Sequence, residues 1–388
     1  MGSGRHGTPR PRRRRNWKPH VPLRRWSRIT AAVLIVVLVP VSWSVGHSLT
    51  MTGGGPVSQR LAEWARDHYL GPLVTLGEWI TYQPPKVGGK PAFALTGPSA
   101  ATAKPKHAAA KVYPPPDNLQ PIVTPALANE GNWRVLGTVN GQGAVYGTEM
   151  RASSLYSSYV AGIVSMNQNL VSFQLRPGAE DPGPVANWGT PDYLPLGTRS
   201  GLEATFNSGF KIASSGGGFY LNGATAGTLT AGVASVVYYK DGHIAIGNWD
   251  QDPGISMSAD VAGVRQNLHL IVQNGQVPAS VDVNVEGSWG ATLGGSYYVW
   301  RSGIGITADN RVIFVYGPAL SVRELATLLQ RAGAVTAMEL DINPEWTDFM
   351  YYLPGAPPTP EALLPNQQQP ANRYYTPASR DFTAVFAR

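Results

Sequence analysis

The sequence predicts an α+β protein: a mostly antiparallel β-sheet body with one strand–helix–strand unit, preceded by a single N-terminal transmembrane helix. Three observations carry that prediction. Glycine (44) and proline (33) are about a fifth of the 388 residues, a share suited to turn-rich β structure. From residue 133 to about 320, short apolar or alternating runs (WRVLGTV, YVAGIVSM, LVSFQL, ASVVYY, HIAIGNW, LHLIVQ, RVIFVYG) are broken by turn residues. Directly after Arg28 comes a 21-residue stretch, ITAAVLIVVLVPVSWSVGHSL, free of Asp, Glu, Lys and Arg. At 43% hydrophobic and 14% charged residues, the chain is too apolar for disorder and too sparsely charged for a long coiled coil. It has no cysteine, which excludes a disulfide framework, a thiol nucleophile and a cysteine zinc site.

The elements follow in order. Residues 1–28 form a basic tail with ten Arg/Lys and no acid, whereas residues 131–388 hold fourteen basic and nineteen acidic residues, a net −5. The formal charge of +7 therefore belongs to the tail. A mildly acidic body lacks the clustered positive charge that phosphate-backbone contact needs, so no nucleic-acid partner is expected. Residues 29–49 span about 31 Å at helical rise, close to the hydrocarbon thickness of a bilayer, and Pro40 is tolerable in a membrane helix. The RPRRRR cluster with Arg24, Arg25 and Arg28 places the tail in the cytoplasm and the rest outside, making a single-pass cell-membrane protein. Two other readings stay open. Ser44-Val45-Gly46 also fits a signal-peptide cleavage site, and the basic run also suits RNA or acidic lipid.

Residues 50–82 read as a short helical stalk. Val57, Leu61 and Trp64 follow helical spacing, Gly71-Pro72 stops that helix, and LVTLGEWITY makes a second one. These helices suit the outer membrane surface, with Trp64 and Trp79 as interfacial anchors, or packing on the body. Residues 83–130, rich in Pro, Ala and Lys, read as a semi-extended linker. The body then covers 131–388. Asp241-Gly242 marks a hairpin, and Asn274-Gly275 and Ala308-Asp309-Asn310 mark further turns. Ser321-Val322-Arg323-Glu324 is a capping box, Leu325, Leu328 and Leu329 form the buried stripe of its helix, and Gly333 ends it. The next run, AVTAMELDI, reads as a strand with Val335, Ala337, Glu339 and Asp341 on one face.

The usual catalytic signatures are missing: no G-x-S-x-G, no P-loop, no H-E-x-x-H, no dinucleotide fingerprint. His243 and His269 read as structural, so a Ser-His-Asp hydrolase is not expected. The informative stretch is AMELDINPEW, residues 337–346. Glu339 and Asp341 sit at i and i+2 with Cα atoms about 6.5–7 Å apart. Neighbouring acids push their pKa values apart, which is what acid/base or nucleophile work requires. The plainer alternative pairs them with arginines or backbone N–H groups. Arg301 interrupts an aromatic, glycine-rich strand, a costly place for a guanidinium without an anionic partner, internal or bound. Gly303 and Gly305 leave room beside it. Asn207, followed by small residues, suits a tight turn that presents an amide. Asp341, Asn343 and Glu345 are oxygen donors, but no ligand spacing compels a metal, and no cofactor is expected.

These residues resemble the phosphodiester glycosidase family. Asn207-Ser208-Gly209-Phe210 is similar to its N-G-G-F turn, Arg301-Ser302-Gly303-Ile304-Gly305 to its R-[ST]-A-[IV]-G strand, and Leu325 to Asp341 to its L-x(n)-G-A-x-x-A-x-x-L-D element. The order and separations agree over roughly residues 200–348, in what resembles a bacterial, membrane-anchored branch. The resemblance implies an extracytoplasmic hydrolase of the cell envelope that cleaves the sugar C1–O bond of a sugar-1-phosphodiester. Arg301 and one carboxylate, Asp341 or Glu339, would be catalytic, with Asn207, Gly209, Phe210, Asn343 and Trp346 binding substrate and Trp289 or Trp300 as alternatives for stacking on a sugar face. One departure is visible: the family commonly has L-D-G-G-G-S where this chain has L-D-I-N-P-E-W. Asp341 carries over and the glycine-loop contacts do not. The alternative is a non-enzymatic envelope protein that binds glycan or a phosphate-containing wall polymer.

Overall fold

The computed structural model describes residues 23–50, 57–81, 83–98, 111–251, 254–283, 288–290, 292 and 296–388. Most of the predicted basic tail, and the middle of the predicted linker, lie outside these. The chain divides into two units, residues 1–50 and 51–388. In the first, helix α1 (Leu23–Thr50) contains a 23-residue segment, Arg28–Thr50, long and apolar enough to cross a membrane. A signal sequence passes the same test of length and composition.

In the second unit, α2 (Val57–Asp67) and α3 (Gly71–Thr81) pack against each other. Val57, Leu61, Leu73 and Leu76 stay exposed, and the Trp79 side chain lies outside the described residues. The described parts of 83–130 contain no helix or strand, yet they make specific bonds to the body. Thr96 N donates to Glu149 Oε2 at 2.8 Å, Leu119 N to Gly131 O at 2.9 Å, and Trp133 Nε1 to Asp117 O at 2.8 Å.

Among the described residues the body forms three antiparallel sheets. The largest has seven strands in the order β1 (Arg134–Val139), β2 (Gln142–Met150), β3 (Ala161–Asn167), β13 (Arg311–Leu320), β12 (Val299–Thr307), β14 (Ala334–Ile342), β11 (Leu270–Val272). The second runs β7 (Ala224–Ala226), β6 (Phe219–Leu221), β10 (Val261–Gln266), β8 (Ala234–Tyr239), β9 (Ile244–Asn248). The third runs β16 (Thr359–Ala362), β15 (Phe349–Leu353), β5 (Leu202–Asn207), β17 (Phe382–Ala387), β4 (Val171–Arg176). The period-2 rule explains how they layer. On β13, Val312, Phe314 and Tyr316 enter a core shared with the other two sheets, while Ile313 and Val315 face α4 (Val322–Arg331). The large sheet is therefore covered on one face by the two smaller sheets and on the other by the helix.

The turn chemistry accounts for the connections. Gly242, at φ +84°, closes the β8–β9 hairpin, and Asn274 and Gly275 are both left-handed. The Ser321 capping box is formed in full, with Oγ accepting from Glu324 N while the Glu324 carboxylate accepts from Ser321 N. The strand–helix–strand unit is β13–α4–β14, both strands pairing with β12 between them. The predicted room beside Gly303 and Gly305 is occupied by protein. A Cβ on Gly303 would lie 3.0 Å from Leu329 Cδ1, and one on Gly305 would lie 2.7 Å from Ala334 Cβ.

Candidate active site

Three chain segments meet where β5 and β14 end and β12 begins. Asn207 closes β5, and its amide ties the junction together. Its Nδ2 donates to Ser302 Oγ at 2.8 Å and to Ser208 O at 3.0 Å, and its Oδ1 accepts from Asp348 N at 3.1 Å. Ser302 Oγ then donates to Asp341 O at 2.7 Å, and Asp341 N donates to Ser208 O at 2.9 Å. Asn267 completes the frame: Oδ1 accepts from Phe210 N at 3.2 Å and Nδ2 donates to Glu339 O at 2.9 Å. Gly209 packs against Arg265 and Asn267, and Phe210 lies in the core cluster beneath α4.

Arg301 and Glu339 form a closed pair. Nη1 reaches Glu339 Oε1 at 2.5 Å, with side-chain exposures of 3% and 0%. The remaining guanidinium bonds go to the carbonyls of Leu320 (3.0 Å), Tyr297 (3.3 Å) and Trp289 (3.4 Å). Glu339 Oε2 has no hydrogen-bond partner. Burial therefore outweighs the arginine and pushes the Glu339 carboxyl up to about 7.

Asp341 belongs to a different cluster. A β-bulge falls between the Arg301–Ile342 and Gly303–Glu339 pairings, and Ile342 packs with Ala337 instead of with Met338 and Leu340. The even alternation expected from sequence thus breaks at the strand end. Asp341 turns toward Arg380, whose Nη2 lies 3.8 Å from Oδ2, while Oδ1 accepts from Ile342 N at 2.9 Å. Its side chain is 6% exposed. Burial again dominates and pushes Asp341 up to about 7, against Arg380 and the backbone bond. Sequence reasoning expected one acid raised and the other lowered. Both rise, because burial outweighs the opposing arginine at each.

The neighbours of Asp341 were not singled out in the sequence. Arg380 stacks 4.5 Å over the Trp346 ring and lies 3.8 Å from Asp181 Oδ2. Arg265 is fully buried, pairs with Asp381 at 2.8 Å and also donates to Phe210 O. Arg373 holds Asp348 at 2.6 Å. For Arg373, Arg380 and Asp381 the sequence sign is charge inside a largely apolar C-terminal stretch, and its meaning depends on β17 lying beside β5. Asn343 adopts φ +73°, a conformation suited to glycine and tolerated by asparagine, at a position where the resembled family has glycine. Its Oδ1 is buried without a partner. Two clefts of the body, about 400 and 310 Å³, are lined by other residues. Among the described residues no His, Asp or Glu cluster is placed to hold a metal.

Part of this junction lies in a stretch that resembles known proteins. Residues 200–341 match the family model for phosphodiester glycosidase. Among solved structures, the chain is similar to the zebrafish N-acetylglucosamine-1-phosphodiester alpha-N-acetylglucosaminidase catalytic domain auto-inhibited by its pro-peptide. The two are 11% identical with a TM-score of 0.41, over 66% of this chain and 88% of that one. A hypothetical protein from Synechocystis is 13% identical, with a TM-score of 0.37, over 66% and 64%. None of the curated proteins matches the chain.

Proposed function

We propose that the protein is a membrane-anchored, extracytoplasmic glycosidase that hydrolyses the sugar C1–O bond of a sugar-1-phosphodiester. The observation that carries this reading is the family match over residues 200–341, within which Asn207 and Asp341 are linked through Ser302 Oγ. The leaving group is a phosphate monoester with a second pKa near 6, so it departs with little need for a proton. The C1–O electrons go to the phosphate oxygen, and water adds at C1 and gives its proton to the Asp341 carboxylate. Arg380 lies near Asp341 at the more open end of the cluster and supplies positive charge to the departing phosphate. Arg301 serves by holding Glu339, and Asn343 and Trp346 border the sugar. The 23-residue apolar helix supports the anchor, with the basic tail in the cytoplasm.

The near-complete burial of Arg301 and Glu339 favours a second reading, a binding protein without turnover. One experiment addresses both. Carbonate-washed membranes carrying the full chain should release N-acetylglucosamine from UDP-N-acetylglucosamine, and Asp341→Asn membranes should not. Activity in the wash counts against the anchor. Binding without release favours the second reading.

A further inference from the structure

Eight arginines are buried in the body: Arg134, Arg151, Arg176, Arg265, Arg301, Arg311, Arg373 and Arg380. Seven of them have a carboxylate within ion-pair distance. Arg176 is the exception among the described residues. It is 7% exposed, its Nη2 donates to the neutral Gln174 Oε1 at 2.9 Å, and its Nε has no partner. Burial alone acts on it and holds its pKa below the ordinary guanidinium value. A buried charge without a counter-ion is costly, and each of the other buried arginines has avoided that cost.

Arg176 ends β4, the edge strand of the third sheet, and lines a cleft of about 310 Å³ against the second sheet. Polar groups of Ser172, Gln174 and Thr190 share the wall, with Asn222, Tyr239 and Lys240 on the side of the second sheet. Among the described residues, the one acid lining the cleft, Asp241, is exposed and engaged by His243 at 2.5 Å. Phe173 N is already bonded to Gly242 O at 2.8 Å, so that part of the strand edge is closed to an added strand. The volume is at the low end of small-molecule sites, about 300–1,000 Å³, and too large for a bare phosphate.

We propose that this cleft binds an oxyanion, phosphate or carboxylate, carried by a ligand of about monosaccharide size, with Arg176 as its counter-ion. A guanidinium offers either group a planar pair of donors, and the polar wall suits hydroxyl groups. The site is separate from the Asp341 junction and stands whether or not the chain is a hydrolase.

The test is titration of the full-length protein in detergent with glucose 1-phosphate, glucuronate, inorganic phosphate and glucose at matched ionic strength. Saturable binding of glucose 1-phosphate, glucuronate or both is expected, with inorganic phosphate weaker and glucose without effect. The stronger of the first two identifies the oxyanion. Arg176→Gln should weaken binding about tenfold or more, and Lys240→Gln a few-fold. Without ligand, Arg176→Gln should melt no lower than wild type, because it removes an uncompensated buried charge. No saturable binding below about 10 mM, equal binding of glucose, or unchanged affinity in Arg176→Gln would overturn the proposal. So would a strongly destabilised Arg176→Gln protein, since that marks the guanidinium as structural.

Discussion

Asn207 uses its one side chain to join three strand ends, through Ser302, Ser208 and Asp348. That role was half legible: the sequence showed an amide at a tight turn, but the partners on β12 and before β15 are distant in the chain. Arg301 behaves similarly. Its cost inside an apolar strand pointed to an anionic partner, and Glu339 supplies it at 2.5 Å. Removing the cation alone strands a buried carboxylate, so Arg301→Ala should cost about 3–5 kcal/mol in urea unfolding. The pair replacement Arg301→Met with Glu339→Leu should lose far less, because both charges go together. An Arg301→Ala loss below about 1 kcal/mol would mean that the ion pair is not closed in solution.

At the scale of elements, α4 is the part the sequence specified most completely. Its start, its stripe and its stop are all local: the Ser321–Glu324 box, Leu325, Leu328 and Leu329, and Gly333 at φ +96°. Ser321→Ala removes the cap to Glu324 N and should lower stability by about 1–2 kcal/mol, read from the shift in the urea midpoint at unchanged slope. No change would mean that tertiary packing alone holds the helix end. Strand β14 was legible too, but not its bulge. The alternating pattern of AVTAMELDI contains no sign of it, since the register shift arises from pairing with β12. Strands β15 to β17 escaped the reading because their turns are long and proline-rich, and β17 pairs with strands far earlier in the chain.

For the whole molecule, buried carboxyls make stability depend on pH. Glu203 on β5 lies against Gly137 of β1, where an added Cβ would sit 2.2 Å from its Oε2, and burial pushes it from an ordinary 4.5 up to about 7. A raised acid binds more protons folded than unfolded, so its contribution is full below 4.5 and lost as pH rises through about 7. Glu203→Gln should therefore raise the melting temperature at pH 8 and leave it unchanged at pH 4. A gain of equal size at both pH values would show that the group is not raised. The class of the fold was visible in glycine, proline and alternation, whereas the grouping of strands into three sheets was not. The order of the third sheet bears on biosynthesis. Strand β17 fills the gap between β5 and β4, both of which leave the ribosome long before it. A nascent chain stalled short of residue 382 would carry two bare strand edges, ready templates for a neighbouring chain, and would depend on chaperones until translation delivers the missing partner.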